Sequence, residues 1–293
     1  MKVGPFTPPD VRDAILSRKH NSHISQVMLP DFYIHLAHFS VCIFAHEGIP
    51  LNFAEERFLS TFIQTPQTPL DFQIQARCLS EMPQLPDHQR PEECSIINDT
   101  YWRLYGYRSV VEWKPGEPLV YLNYSGTLLD AVESLRMFIA LQLVYRHIGI
   151  LLHAASAIYN HHTYVFLGSS GAGKSTSVAY TPGKLLSDEM SAVLLDSQGI
   201  SVQSTPFDGE HFPVDDVGRN PVFFFVEKAE KNLRKSLSPR NALTRFLSQT
   251  MMLPHAPMAF WHATIDMLGR VIDECPVEIL YAAPGGTFWK ELL

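Results

Sequence analysis

Thr163-Tyr164-Val165-Phe166-Leu167-Gly168-Ser169-Ser170-Gly171-Ala172-Gly173-Lys174-Ser175 is the stretch that decides the fold. Gly168 to Ser175 match the pattern G-x-x-x-x-G-K-[ST] without deviation. Thr163 to Leu167, just before, form a short β-branched and aromatic run of the kind expected in a buried strand. Thr176 to Tyr180 can then open a helix, which Pro182-Gly183 stops. Strand, glycine-rich loop and helix in this order offer unpaired backbone N–H groups and the positive end of a helix dipole to an anion. The glycines allow the backbone to wrap closely around phosphates. Lys174 can reach the β- and γ-phosphates, and the Ser175 hydroxyl can ligate Mg²⁺. The loop, extended to Thr176, therefore predicts a site for a nucleoside triphosphate such as ATP with its Mg²⁺.

The bulk properties set the frame around this loop. A chain of 293 residues suggests two domains, or one domain with a sizeable attachment. With 46 % hydrophobic and 18 % charged residues it can bury a core and does not have the composition of a disordered chain. The formal net charge of −7, with scattered lysines and arginines, argues against non-specific nucleic-acid binding. No apolar stretch approaches the ~20 residues that span a bilayer. The longest candidate, Leu135 to Val144, is interrupted by Arg136 and Gln142. The prolines and acids of MKVGPFTPPDVRD do not suit a secretory signal. Cys42, Cys78, Cys94 and Cys275 lie far apart, which suggests neither a zinc knuckle nor a disulfide framework. The expectation is a soluble, reduced, cytoplasmic protein without membrane or nucleic-acid partners.

The two halves differ in pattern, with the boundary placed between residues 126 and 127. Residues 1–126 read as β-rich. Leu70, Phe72, Ile74, Ala76 and Cys78 alternate with polar residues, as in a strand with one wet face. Phe32 to Leu36, Val110 to Trp113 and Leu119 to Tyr124 read as further strands, the last two joined by the turn Lys114-Pro-Gly-Glu117. Met82 to Glu93, rich in proline and charge, reads as a long surface loop or a flexible connection. Thr127 to His147 carries apolar residues at helical spacing. From Gly149 onward strands and helices alternate. Ile150 to Tyr159 and Thr163 to Leu167 are strands across the turn Asn160-His161-His162, and Ser191 to Leu195 and Ile200 to Gln203 form a hairpin. Val222 to Val226 is a buried strand, and Ser238-Pro239 opens a helix to about Met252.

Three further positions can carry chemistry. Asp188 and Glu189 follow a short apolar segment, fourteen residues beyond Lys174. A carboxylate there can hold Mg²⁺ or accept the proton of an attacking hydroxyl. His153 lies in the apolar strand Leu151-Leu-His-Ala-Ala-Ser156. Its expected parallel neighbour is the strand feeding the loop, which would bring His153 close to the phosphates, where it could orient or charge-stabilise a carboxylate. Otherwise it is a hydrogen-bonded core histidine. Asp196 imitates a Mg²⁺-binding aspartate, but Asp196-Ser-Gln-Gly199 between two strand-like runs reads better as a hairpin turn. His161 and His162 read as turn residues, since no third metal ligand stands at a recognisable spacing. Arg219, Arg234, Ser236 and Arg240 are candidates for binding an anionic acceptor. Phe223 to Phe225 and Phe288 to Leu293 suit a core or a homo-oligomer interface, with core preferred.

Together, L-L-H-A-A-S-A, V-F-L-G-S-S-G-A-G-K-S-T and L-L-S-D-E resemble the catalytic core of the HPr serine kinase/phosphorylase family. The likeness covers residues 149–203 well and continues more weakly to Leu247. It implies an α/β fold: a P-loop nucleotide domain related to that of phosphoenolpyruvate carboxykinase, spanning residues 127–293, behind a β-rich N-terminal domain. It further implies transfer of the γ-phosphoryl group of ATP to a serine hydroxyl. By that resemblance Lys174 holds the β/γ-phosphates and Ser175 the Mg²⁺. Asp188 is the general base with His153 its partner, and Glu189 and Glu210 contribute at the metal. The acidic pair here is Asp-Glu where the family has Asp-Asp. The N-terminal half does not resemble the family's regulatory domain, and the glycine-rich, arginine-containing motif tied to phosphorolysis is not found downstream. These departures point away from HPr itself. They point toward related kinases that sit beside peptide-tailoring genes and phosphorylate a serine of a lasso-peptide precursor. Two alternatives are a kinase of a small hydroxyl metabolite such as free serine, and a nucleotide sensor without turnover.

Overall fold

A computed structural model describes residues 31–45, 70–79, 94–106, 108–126, 132–207 and 216–291. Met82 to Glu93 and Glu210 lie outside the described residues. The first half is the expected β structure. Strands β1 (Asp31–Leu36), β2 (Phe39–Ala45), β3 (Phe72–Cys78), β4 (Ile96–Ile97), β5 (Trp102–Gly106), β6 (Ser109–Trp113) and β7 (Leu119–Tyr124) form a seven-stranded sheet in the order β1-β2-β3-β7-β6-β5-β4. Period-two alternation drives it: Phe72, Ile74 and Ala76 are buried, while Gln73 and Arg77 face out. The predicted turn between β6 and β7 is closed by Glu117 N–H donating to the Lys114 carbonyl at 3.0 Å.

Within the span predicted as helix, α1 runs Arg136–Tyr145, and residues 127–131 lie outside the described residues. Its stop is a Schellman closure. Ile148 N–H reaches the Leu143 carbonyl and His147 N–H the Val144 carbonyl, with His147 left-handed at φ 56°. Every residue from Phe138 to Val144 is buried, so this helix has no wet face over two turns. The reason is its position between two layers. Phe138 packs edge-on against Phe72, Trp113 and Trp102 of the first sheet at 5.1, 5.8 and 6.3 Å. The same helix packs on strand β8 (Gly149–Tyr159) and on helix α4 (Met258–Glu274). One apolar cluster accordingly runs through both halves of the chain.

The second sheet is built around β8. Its further strands are β9 (His162–Leu167), β10 (Lys184–Ser187), β11 (Met190–Asp196), β12 (Gly199–Gln203), β13 (Val217–Gly218), β14 (Pro221–Lys228), β15 (Leu233–Ser236) and β16 (Val277–Ala282). The order is β13-β12-β11-β8-β9-β14-β16-β15, with β10 also pairing with β8. Strands β9, β14 and β16 are parallel; β8 and β9 are antiparallel, which corrects the expected parallel arrangement. The linker is too short for a crossover. Asn160 and His161 both take positive φ (48° and 65°), the twist-matched form of a tight hairpin, and His162 is already a strand residue. Asp196 pairs with Gly199 across the predicted β11–β12 turn, and its side chain accepts from Gln198 N–H at 2.6 Å.

Strand β14 is covered on both faces, which explains its unbroken apolar run. Phe223 and Phe225 pack against Phe246 of α3 (Pro239–Leu247), while Phe224 stacks with Tyr164 and Phe166 on the other face. That second face is closed by α5 (Phe288–Glu291), whose Phe288 and Trp289 are buried as core. Helix α3 ends five residues short of the predicted Met252, and the Ser238 side chain makes no capping hydrogen bond. Beyond α3 the backbone is taken by β8 instead. His153 N–H donates to the Gln249 carbonyl and Met251 N–H to the Leu151 carbonyl. No described helix is long and apolar enough to cross a membrane.

Candidate functional site

The site lies where the middle of β8 meets its neighbours. Ala154 pairs with Leu167, so the loop starting at Gly168 leaves β9 at this level. On the opposite edge β10 ends at Ser187, opposite Ser156, and β11 begins with Met190, opposite His153. Asp188 and Glu189 form the corner between those two strands. It is pinned by Ala154 N–H donating to the Glu189 carbonyl and by Ser187 Oγ donating to the Met190 carbonyl. The fourteen-residue spacing is thus one helix up, one turn, and one short strand back along β8.

Loop geometry follows from its glycines. Gly168 takes φ 149°, and a β-carbon there would stand 3.0 Å from Ala172 Cβ and 3.2 Å from the Val226 carbonyl. Gly173 at φ 106° turns the chain into α2 (Lys174–Ala179), which starts two residues before the predicted Thr176. The Lys174 side chain bends back over the loop, with Nζ donating to the Gly168 carbonyl at 2.9 Å and the Ser169 carbonyl at 3.4 Å. Burial pushes its amine below the ordinary lysine range, and the nearby Glu189 carboxylate partly offsets this. Ser175 Oγ donates to the Asp188 backbone carbonyl at 3.2 Å, which ties the loop to the acidic corner.

One cavity of about 460 Å³ gathers Lys174, Ser175, Asp188, Glu189 and His153, together with Ser170, Gly171, Gly173 and Thr176. Asp188 is only 3 % exposed, a rare position for a carboxylate outside a built polar site. His153 is half-buried; burial, then the charges of Lys174 and Arg136, hold its imidazole below the ordinary histidine range. The cavity also takes in Lys228 from the end of β14, which the sequence reading misses. The only signal was its place at the carboxyl end of the strand beside the loop strand. Arg136, at the start of α1, is a second cation near His153 and pairs with Glu133.

The other candidates lie apart. Arg234 on β15 is held by Glu278 at 2.7 Å and stacks on Phe224. Arg219 lines a different cavity with Glu274 and Cys275, while Ser236 and Arg240 are exposed and line none of the described cavities. The oxygen donors of Ser175, Asp188 and Glu189 are of the hard type that Mg²⁺ prefers, and they face one space. No family model matches the chain, and no curated protein matches it in sequence.

The His153 shift has a measurable consequence. Its folded pKa lies below the unfolded value of about 6.5, so the unfolded chain takes up the proton first as pH falls. Its contribution is complete above pH ~6.5 and is lost as pH falls through the folded value. His153→Gln should flatten that acid loss, seen as a smaller drop in urea midpoint from pH 7.5 to 5.5. An unchanged drop would mean that His153 titrates as it does in the unfolded chain.

Proposed function

We propose that the chain is a P-loop kinase with an HPr-kinase-like nucleotide domain, transferring the γ-phosphoryl group of ATP to a serine hydroxyl of a peptide or protein. The observation that carries this reading is the single cavity in which Lys174, Ser175, Asp188, Glu189 and His153 meet. Phosphoryl transfer requires a phosphate cradle, charge neutralisation and a base for the incoming hydroxyl. The loop backbone and Lys174 bind and orient the triphosphate. Ser175 and Glu189, with Asp188 adjoining, would hold Mg²⁺, which when bound would neutralise charge on the β- and γ-phosphates. Asp188 accepts the hydroxyl proton as the acceptor oxygen bonds to the γ-phosphorus. The bridging bond to the β-phosphate breaks, and ADP leaves with the electron pair. His153, whose imidazole burial holds toward its neutral form, lines the same cavity as the carboxylates. A buried carboxylate facing the phosphate cradle favours a kinase over a sensor, which needs no base.

The test is incubation of the protein with Mg²⁺ and γ-labelled ATP against free serine, serine-containing peptides and HPr. The expected result is a gain of one phosphoryl group in the intact mass of a peptide or protein acceptor, absent with Lys174→Ala. Transfer to free serine alone would make the protein a metabolite kinase. ATP binding without transfer to any acceptor would favour the sensor.

A further inference from the structure

A second cavity, also about 460 Å³, adjoins the first and shares Gly173, Thr176 and Lys228 with it. Its remaining walls include Tyr180 at the end of α2, Val226 within β14 and Ala229 just after it, and Ala282 to Gly286 from the end of β16 onward. Those C-terminal residues are small, so the backbone itself forms the wall. A β-carbon at Gly286 would overlap Tyr180, so the Tyr180 side chain lies directly on that backbone, yet Tyr180 remains 51 % exposed. No carboxylate lines this cavity among the described residues.

The wall is held in place from several directions. Ala229 N–H donates to the Ala282 carbonyl, and Ala283 N–H to Asn232 Oδ1 at 2.8 Å. Asn232 in turn donates to Thr287 Oγ1 at 2.7 Å. Trp289 Nε1 donates to the Ser177 carbonyl at 2.8 Å, which fastens the C-terminal segment onto the helix that follows the loop. The slot is therefore preformed, apolar along its small-residue wall, and open at one end to the phosphate cradle.

We propose that this slot, between Tyr180 and Ala282–Gly286, holds the nucleoside of the bound triphosphate. The inference rests on the phosphate reading of the loop. A planar heteroaromatic base and its ribose suit a preformed apolar slot with an available aromatic ring. The shared residues Gly173, Thr176 and Lys228 mark the passage through which the phosphate chain continues into the first cavity. Neither Tyr180 nor any residue from Ala282 to Gly286 reads as a motif, because this wall forms only when the chain after β16 is fastened to α2.

The experiment compares Mg²⁺-ATP with inorganic tripolyphosphate by calorimetry, in the wild-type chain and in Ala283→Trp, and maps photolabelling by 8-azido-ATP. Wild type should bind ATP at least about tenfold more tightly than tripolyphosphate. Ala283→Trp, which fills the slot, should bring ATP down to the tripolyphosphate level and leave tripolyphosphate binding unchanged. The label should fall on Tyr180 or on residues 282–286 of the wild-type protein, a readout independent of whether the variant folds. Equal wild-type affinities, or a label placed elsewhere, would overturn the nucleoside slot while leaving the phosphate site standing. Binding of neither ligand would overturn the phosphate reading and the slot with it.

Discussion

Asp188→Asn is expected to keep ATP binding and to lose phosphoryl transfer by about 10²–10⁴-fold, the range a general base supplies. Asparagine has nearly the same shape as aspartate, so the corner between β10 and β11 is not forced open. The link between corner and loop runs from Ser175 Oγ to the Asp188 backbone carbonyl, not to the carboxylate. The substitution therefore leaves that link and the Lys174 contacts intact. What it removes is the only group at that position able to take the acceptor proton. Rate and affinity should separate: kcat falls while the Kd for ATP stays within a few-fold of wild type. A Kd that rises as steeply as kcat falls would make Asp188 chiefly a metal or phosphate-binding group. Unchanged transfer would remove it from the chemistry altogether. Glu189→Gln is the informative companion, since Glu189 lies close enough to influence Lys174 and should act on Mg²⁺ dependence.

Phe138→Ala is expected to lower the stability of the whole protein by about 3–5 kcal/mol, the usual cost of emptying a fully buried aromatic site. The ring is completely buried and stands edge-on to Phe72, Trp102 and Trp113, while its helix also lies on β8 and α4. The facing rings of Phe72, Trp102 and Trp113 are held on strands of the first sheet, which limits collapse into the space. Urea unfolding should show one transition shifted to lower midpoint, with far-UV circular dichroism and tryptophan fluorescence coinciding. Trp102 and Trp113 report the first sheet and Trp289 the second, so the halves are read together. Two separated transitions would mean that the continuous apolar cluster does not couple them.

Much of the architecture was legible because local chemistry decides it. The loop, its preceding strand, the alternation of Phe72, Ile74 and Ala76, and the Asp196–Gly199 turn each depend on residues within a few positions of one another. Helix α4 carries an equally local signal. Phe260, Ala263, Thr264, Met267, Leu268 and Val271 recur at helical spacing and are all buried. The end of α3 is decided differently. Nothing in Ser248 to Met252 forbids helix, but β8 offers an edge that takes Gln249 and Met251 as partners. Tertiary hydrogen bonding there outweighs a helix propensity of a few tenths of a kcal/mol per residue.

By itself, the sequence determined which groups the loop and the acidic corner carry: the glycines that permit positive φ, the lysine and the hydroxyl beside them, and a carboxylate at fixed distance along the chain. The tertiary structure decided what surrounds those groups. It set β8 antiparallel to the loop strand and placed His153 at the acidic corner through pairing with Met190. It also brought Lys228 and the chain after β16 to the loop from positions more than 50 residues away in sequence. Strand direction, sheet order and distant pocket walls are settled by long-range pairing and burial. Those free energies belong to no short window of sequence, and a motif cannot display them.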